Sequence, residues 1–268
     1  MGKKKKNNKN TGSKKALLQE QSSVRLSQCM IVKNEEKNIE QALSWAKNIA
    51  FEQIVVDTGS TDRTVEIAEK LGATVYHFKW INDFGAAKNF AMDQAKGNWI
   101  AILDADEYMP HEDTKELMDI LNRIQSDPAL LRKYDAIMNS WVQLNDDGNA
   151  YTILTNLRIF KNSPKLRYEG KIHEAVRIHN EYYDATKLRI MHTGYATSSF
   201  EESGKRERNL KLLREEKSWS FEELSQISEV DVKILIDIEN GEDFDIQFLF
   251  VLCRVYGIKV REIFSPLK

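Results

Sequence analysis

Two cysteines in 268 residues, Cys29 and Cys253, are too few for a disulfide framework. They stand far apart and among apolar neighbours, so they read as core thiols in a reducing compartment. No stretch approaches the ~20 apolar residues of a membrane-spanning helix. Met1-Gly-Lys-Lys-Lys-Lys has no apolar run behind it, so no secretory signal is expected. Lys6 stands where N-myristoylation needs Ser or Thr. The first fifteen residues lack any acid and hold seven lysines. Such a tail, taken as residues 1–24, is expected to be disordered and solubilising, with contact to nucleic acid or anionic lipid as the alternative. No internal repeat is visible. The whole chain is 41% hydrophobic and 30% charged. That describes a soluble, cytoplasmic chain of one large or two modest domains.

The most informative stretch is Asn98-Trp-Ile-Ala-Ile-Leu-Asp-Ala-Asp-Glu107. An apolar run that ends in carboxylates reads as a buried strand opening at the ligand-binding edge of an α/β sheet. Asp104 and Asp106 fall on one side of an extended chain. Paired oxygen donors suit Mg²⁺ or Mn²⁺, and such a metal suits phosphate. A solvated acidic turn is the plainer reading of these residues alone.

Strand and helix alternate from Leu26 to Leu103. Strands are expected at Leu26–Val32, Gln53–Asp57 and Ala73–Phe78, and helices at about Lys37–Asn48, Arg63–Leu71 and Ala86–Ala95. This pattern predicts a mostly parallel, doubly wound sheet. Beyond Asp106 the spacing predicts a helix over Thr114–Ile124. Two extended segments follow, Tyr134–Leu144 and Tyr151–Phe160, joined by the turn Asn145-Asp-Asp-Gly148. A last strand is expected at Lys187–His192. Lys33-Asn34-Glu35, Asp57 and Asp104/Asp106 all close strands on what should be one edge, which makes a candidate site.

Four segments carry a resemblance: Met30-Ile-Val-Lys-Asn-Glu-Glu36, Ile54-Val-Val-Asp-Thr-Gly-Ser-Thr-Asp-Arg-Thr64, Trp80-Ile-Asn-Asp-Phe-Gly-Ala-Ala-Lys-Asn89 and Trp99-Ile-Ala-Ile-Leu-Asp-Ala-Asp-Glu107. In this order they resemble family 2 glycosyltransferases of the GT-A fold, in the lipopolysaccharide-core and bacteriocin S-glycosyltransferase subgroup. The resemblance implies inverting, metal-dependent transfer from a nucleotide-diphosphate sugar, a UDP-sugar first, to an acceptor it does not specify. It places Lys33, Asn34, Glu35 and Asp57 at the nucleoside, Asp104 near the ribose or metal, and Asp106 on the metal. Met191-His-Thr-Gly-Tyr195 resembles a segment whose histidine, here His192, suits a further ligand; imidazole favours Mn²⁺ over Mg²⁺. Tyr168-Glu-Gly-Lys-Ile-His-Glu174 resembles the acceptor-side segment, with Glu174 as the expected base and Glu169 as second choice. Lys88 stands where the family usually has arginine, giving charge to the diphosphate without a bidentate fork. Thr58 replaces a second acid.

From about residue 205 the chain resembles a different module, the phage-repressor type of helix-turn-helix. Helices are expected near 205–217, 221–227, 231–239, 244–256 and 260–264, with Ser220 and Glu223 forming a capping box. The expected recognition helix offers Asp231, Val232, Ile236 and Asp237 where DNA readers offer Arg, Gln, Ser or Asn. Residues 214–268 hold twelve acids against seven bases. That sign opposes phosphate, so packing, homodimerisation or docking of a protein partner is expected rather than DNA binding. The domain expectation is therefore 25–204 for the transferase and 205–268 for the helical module. The rivals are a DNA-binding regulator that senses a nucleotide sugar, and a nucleotidyltransferase.

Overall fold

The structure, a computed structural model, describes residues 23–145, 147–171, 174–193, 205–242 and 244–258. The basic tail to Ser22, Ile172, His173 and the expected fifth helix at 260–264 lie outside the described residues.

One eight-stranded sheet organises the chain. Its first half is four parallel strands: β1 (Leu26–Val32), β2 (Ala50–Asp57), β3 (Thr74–His77) and β4 (Trp99–Ile102), in the order β3-β2-β1-β4. Helices α1 (Ile39–Ser44), α2 (Thr64–Lys70) and α3 (Phe84–Gln94) supply the crossovers. The second half holds the expected hairpin and adds mixed pairings that the sequence did not specify. β7 (Ala150–Lys161) pairs antiparallel with β4 and with β6 (Tyr134–Leu144). β10 (Glu181–His192) runs parallel to β6 and antiparallel to the two-residue strand β5 (Glu107–Tyr108). A separate ribbon pairs β8 (Tyr168–Glu169) with β9 (Ala175–Val176). The result is a mixed α/β fold.

The strand periodicity explains the layers. In β4 and just beyond, Trp99, Ala101 and Leu103 face a core shared with Trp141, Leu117 and Leu121. Ile100 and Ile102 face the opposite core with Cys29, Met92 and Phe160. All five are fully buried, as a central strand requires. The polar residues inside β1 are satisfied: Ser27 Oγ donates to Glu52 Oε1 (2.6 Å) and Gln28 Nε2 to the Ala42 carbonyl (2.6 Å). The amphipathic helix α4 (His111–Ser126) covers the first core and extends beyond its expected bounds at both ends. A short helix not expected from sequence, α5 (Pro128–Lys133), starts where Asp127 accepts from Ala129 N–H with Pro128 at the first turn.

Four helices follow: α6 (Lys205–Glu216), α7 (Phe221–Ser228), α8 (Val232–Asn240) and α9 (Ile246–Tyr256). They share a core of Leu210, Leu213, Leu224, Leu235, Ile238, Leu249 and Leu252. The capping box forms, with Ser220 Oγ accepting from Glu223 N–H (3.1 Å) and Glu223 Oε2 from Ser220 N–H (2.8 Å). Phe84 of α3 packs against this core, so the bundle touches the sheet domain beside the strand ends.

Candidate active site

β1, β2 and β4 run in one direction, so their carboxyl ends share one edge, where open α/β sheets bind ligands. The first two turns are laced together. Asn34, in the left-handed region at φ 57°, accepts from Thr61 N–H (2.8 Å), and Glu35 N–H donates to Thr64 Oγ1 (2.7 Å). Beside them opens a cavity of about 170 Å³ whose wall includes Lys33, Glu35, Thr58, Trp80, Phe84, Lys88, Asp104, Asp106 and Arg208.

Beneath it lies a buried charge network. Lys88 Nζ sits 3.2 Å from Asp104 Oδ1 and 2.7 Å from Glu174 Oε1. Arg158 Nη2 bridges Asp104 Oδ2 (3.1 Å) and Glu107 Oε1 (2.5 Å). Glu107 also accepts from Trp141 Nε1 (2.8 Å) and from Asp104 N–H (3.0 Å). Burial pushes Asp104 up, but Lys88 and Arg158 outweigh it and hold the carboxyl below its usual range. Burial pushes Glu107 up, and Arg158 does not fully offset it. Burial would pull Lys88 down, yet Asp104 and Glu174 keep it raised and charged.

β5 pairs with β10 so that His192 lies opposite Glu107. This brings His192 Nε2 to 3.3 Å from Asp106 Oδ2, with the imidazole packed 4.8 Å from the Trp141 ring. Burial lowers the affinity of His192 for a proton, and the Asp106 carboxylate more than reverses that. Three carboxylates, Asp104, Glu107 and Glu174, thus contact two permanent cations, Lys88 and Arg158, with the Asp106–His192 pair beside them. Ligand bonds of about 2.1 Å set at right angles place neighbouring donors about 3 Å apart, near the Asp106–His192 spacing. Among the described residues no group of three or more His, Cys, Asp or Glu gathers to hold a metal. Remaining ligands would come from phosphate oxygens and water, the usual setting for Mg²⁺ and Mn²⁺. The donor set fits a metal completed by its substrate.

The sequence-predicted residues divide. Lys33, Glu35, Lys88, Asp104 and Asp106 meet at one cavity, and His192 lies against Asp106. Asn34 serves the turn. Asp57 does not line this cavity, whereas Thr58 does. Asp57 Oδ1 accepts from Ser60 N–H (3.0 Å) and Oδ2 from Gly59 N–H (3.2 Å), with His77 Nδ1 at 3.4 Å. Burial raises Asp57, and these hydrogen bonds more than compensate, leaving its pKa low. Glu169 is exposed on β8 and lines neither this cavity nor the one beside Glu174. Glu174 is buried and lines that second cavity, of about 270 Å³, with Arg158 and Tyr168. Gly85 allows the loop carrying Glu174 to come this close, because a Cβ there would meet the Gly170 carbonyl at 2.4 Å. Sequence reasoning passed over Glu107, Arg158 and Arg208. A lone arginine between Leu157 and Ile159 in an otherwise half-apolar strand was the available signal for Arg158.

The fold and this edge define an open α/β domain with a cleft at its strand ends lined by both acids and bases. The chain belongs to glycosyl transferase family 2, whose family model matches residues 27–186. The SPbeta prophage-derived glycosyltransferase SunS of Bacillus subtilis is 28% identical over 191 residues, covering 69% of this chain and 43% of that protein. A TPR repeat-containing protein of Synechococcus elongatus is 37% identical over 155 residues, covering 56% of this chain and 35% of the other. The chain thus spans well under half the length of these curated relatives. Among solved structures, Staphylococcus aureus TarS aligns over 90% of this chain and 44% of its own, with 16% identity and a TM-score of 0.48. No helix among the described residues is long and apolar enough to cross a membrane.

Proposed function

We propose that the chain is a metal-dependent, inverting glycosyltransferase that takes a sugar from a nucleotide-diphosphate donor, with UDP-sugars the first to test. The observation that carries this reading is the Asp106–His192 pair beside a carboxylate-rich, two-cation network at the mouth of a strand-end cavity. Asp106 and His192 would hold Mn²⁺ or Mg²⁺, which supplies charge stabilisation to the departing diphosphate. Lys33 adds positive charge at the exposed lip. Lys88 and Arg158 fix Asp104 and keep it ionised. Asp57 orders the turn that presents Thr58 to the nucleoside.

Glu174 is the proposed base. Its Oε1 is tied to Lys88, while Oε2 has no hydrogen-bond partner among the described residues. An acceptor entering the second cavity would place its nucleophilic atom at Oε2. That atom bonds to the anomeric carbon, the bond from that carbon to the phosphate oxygen breaks, and Glu174 takes the proton. Attack from the side opposite the diphosphate inverts the anomeric centre. The helical bundle is proposed to serve docking or closure, not DNA reading. Asp231 Oδ1 is spent capping its own helix through Lys233 N–H (2.8 Å), and Ile236 is exposed where a groove-reading side chain would stand.

The test measures UDP binding and sugar transfer with and without Mn²⁺ on the full chain. Asp106→Ala should remove metal-dependent binding and lower transfer by roughly a thousandfold, with little change in melting temperature. Glu174→Gln should keep UDP binding and lose transfer. Undiminished transfer by Asp106→Ala would refute the metal assignment.

A further inference from the structure

Arg208 lies in α6, outside the family-matched segment, yet its side chain forms part of the cavity wall shared with Lys33, Lys88 and Asp106. Its guanidinium carbon sits 5.3 Å from the centre of the Phe84 ring. Its hydrogen bonds among the described residues run from Nε and Nη2 to Oδ1 of the adjacent Asn209, both long at 3.3 Å. By contrast, Arg158 is matched by Asp104 and Glu107, and Arg214 by Glu239. Among the described residues no carboxylate stands within ion-pair distance of Arg208. Burial accordingly weakens its hold on its proton. A desolvated guanidinium without an anion is costly, and its planar fork matches two oxygens of a phosphate.

Resting on the transferase reading above, we propose that Arg208 binds the donor's diphosphate, so that the C-terminal helical bundle completes the active site of the sheet domain. The missing counter-ion is then the substrate itself. The cavity, at about 170 Å³, is smaller than the roughly 300 Å³ at which small-molecule sites begin. Donor entry therefore requires a wall to shift, and Arg208 is held there by an aromatic face and a neutral amide rather than by an acid. The bundle's contact with Phe84 is then a working part of the cleft.

The experiment titrates full-length protein with UDP, uridine and inorganic pyrophosphate in Mn²⁺ by calorimetry. Arg208→Gln should weaken UDP and pyrophosphate by about ten- to a hundredfold, the range for hydrogen bonds to charged groups, and leave uridine unchanged. Arg208→Lys should fall between, having the charge without the fork. Equal UDP affinity for Arg208→Gln and wild type overturns the role of Arg208 and leaves the transferase reading standing. Equal losses for UDP and uridine mark a packing role and also overturn it. Wild-type protein that binds neither a nucleoside diphosphate nor pyrophosphate overturns both. Melting temperature is followed throughout, and if Arg208→Gln unfolds, the UDP-to-uridine affinity ratio of Arg208→Lys decides the matter.

Discussion

The sheet domain and the helical bundle bury different things. Behind the cleft the sheet domain encloses Lys88, Arg158, Glu107, Glu174 and His192, each at most 4% exposed. The bundle's core is dominated by aliphatic and aromatic side chains, and its best-formed ion pair, Arg214 with Glu239 at 2.8 Å and 2.9 Å, is a simple pair rather than a network. Charges are expensive to bury and are rarely the best route to stability. A domain that concentrates them at one edge is therefore organised for chemistry there. The bundle is organised for packing and reaches the cleft through Phe84 and Arg208.

Three substitutions would sharpen or break that contrast. The largest effect is expected from Lys88→Ala, which strands Asp104 and Glu174 without their shared cation and should cost about 3–5 kcal/mol. Hydrogen exchange should then rise around β1, β4 and α3 while α7–α9 stay protected; uniform loosening would show the two regions unfold as one. Next is Asp135→Asn, on β6. Asp135 accepts from His179 N–H, from Asn180 N–H and from Lys161 Nζ (2.9 Å). Burial raises its pKa, and these partners outweigh that, bringing it down to about 2 from 3.8. A depressed carboxyl stabilises the fold above its ordinary pKa, and that contribution is lost as pH falls through about 2. Asp135→Asn should thus cost about 2 kcal/mol at neutral pH, with the gap to wild type closing toward pH 2 in urea titrations. A gap independent of pH would assign the effect to packing. The smallest effect is a gain. Glu229 ends α7 in the left-handed region at φ 59°, where glycine carries no Cβ penalty. Glu229→Gly should stabilise the bundle by about 1 kcal/mol in thermal melts, and a loss would mean the Glu229 side chain contributes more than its backbone strain costs.

Local pattern made the strand ends readable. The run Trp99–Leu103 closing on Asp104 and Asp106 could be placed at a sheet edge because burial on both faces leaves an uninterrupted apolar signature. The hairpin about Asn145–Gly148 was equally plain, and Gly148 sits at φ 74° as its turn demands. How that hairpin joins the sheet, with β7 antiparallel to β4 and β10 parallel to β6, was less so, since strand direction is set by partners far away in sequence. The roles of Asp57 and Asp104 were blurred for the same reason. Both end strands, but one is bound by its own turn and the other by Lys88 and Arg158, distant along the chain.

By itself the sequence determined the family, the alternation of elements and the carboxylates that close the strands, because periodicity and short motifs are local properties of a chain. Only the tertiary structure decided that His192 meets Asp106, that Lys88 serves two acids rather than standing free, and that an arginine from the helical bundle faces the cleft. Those pairings depend on which distant segments share a low-dielectric interior, where a charge must find a partner, and no local pattern records that choice.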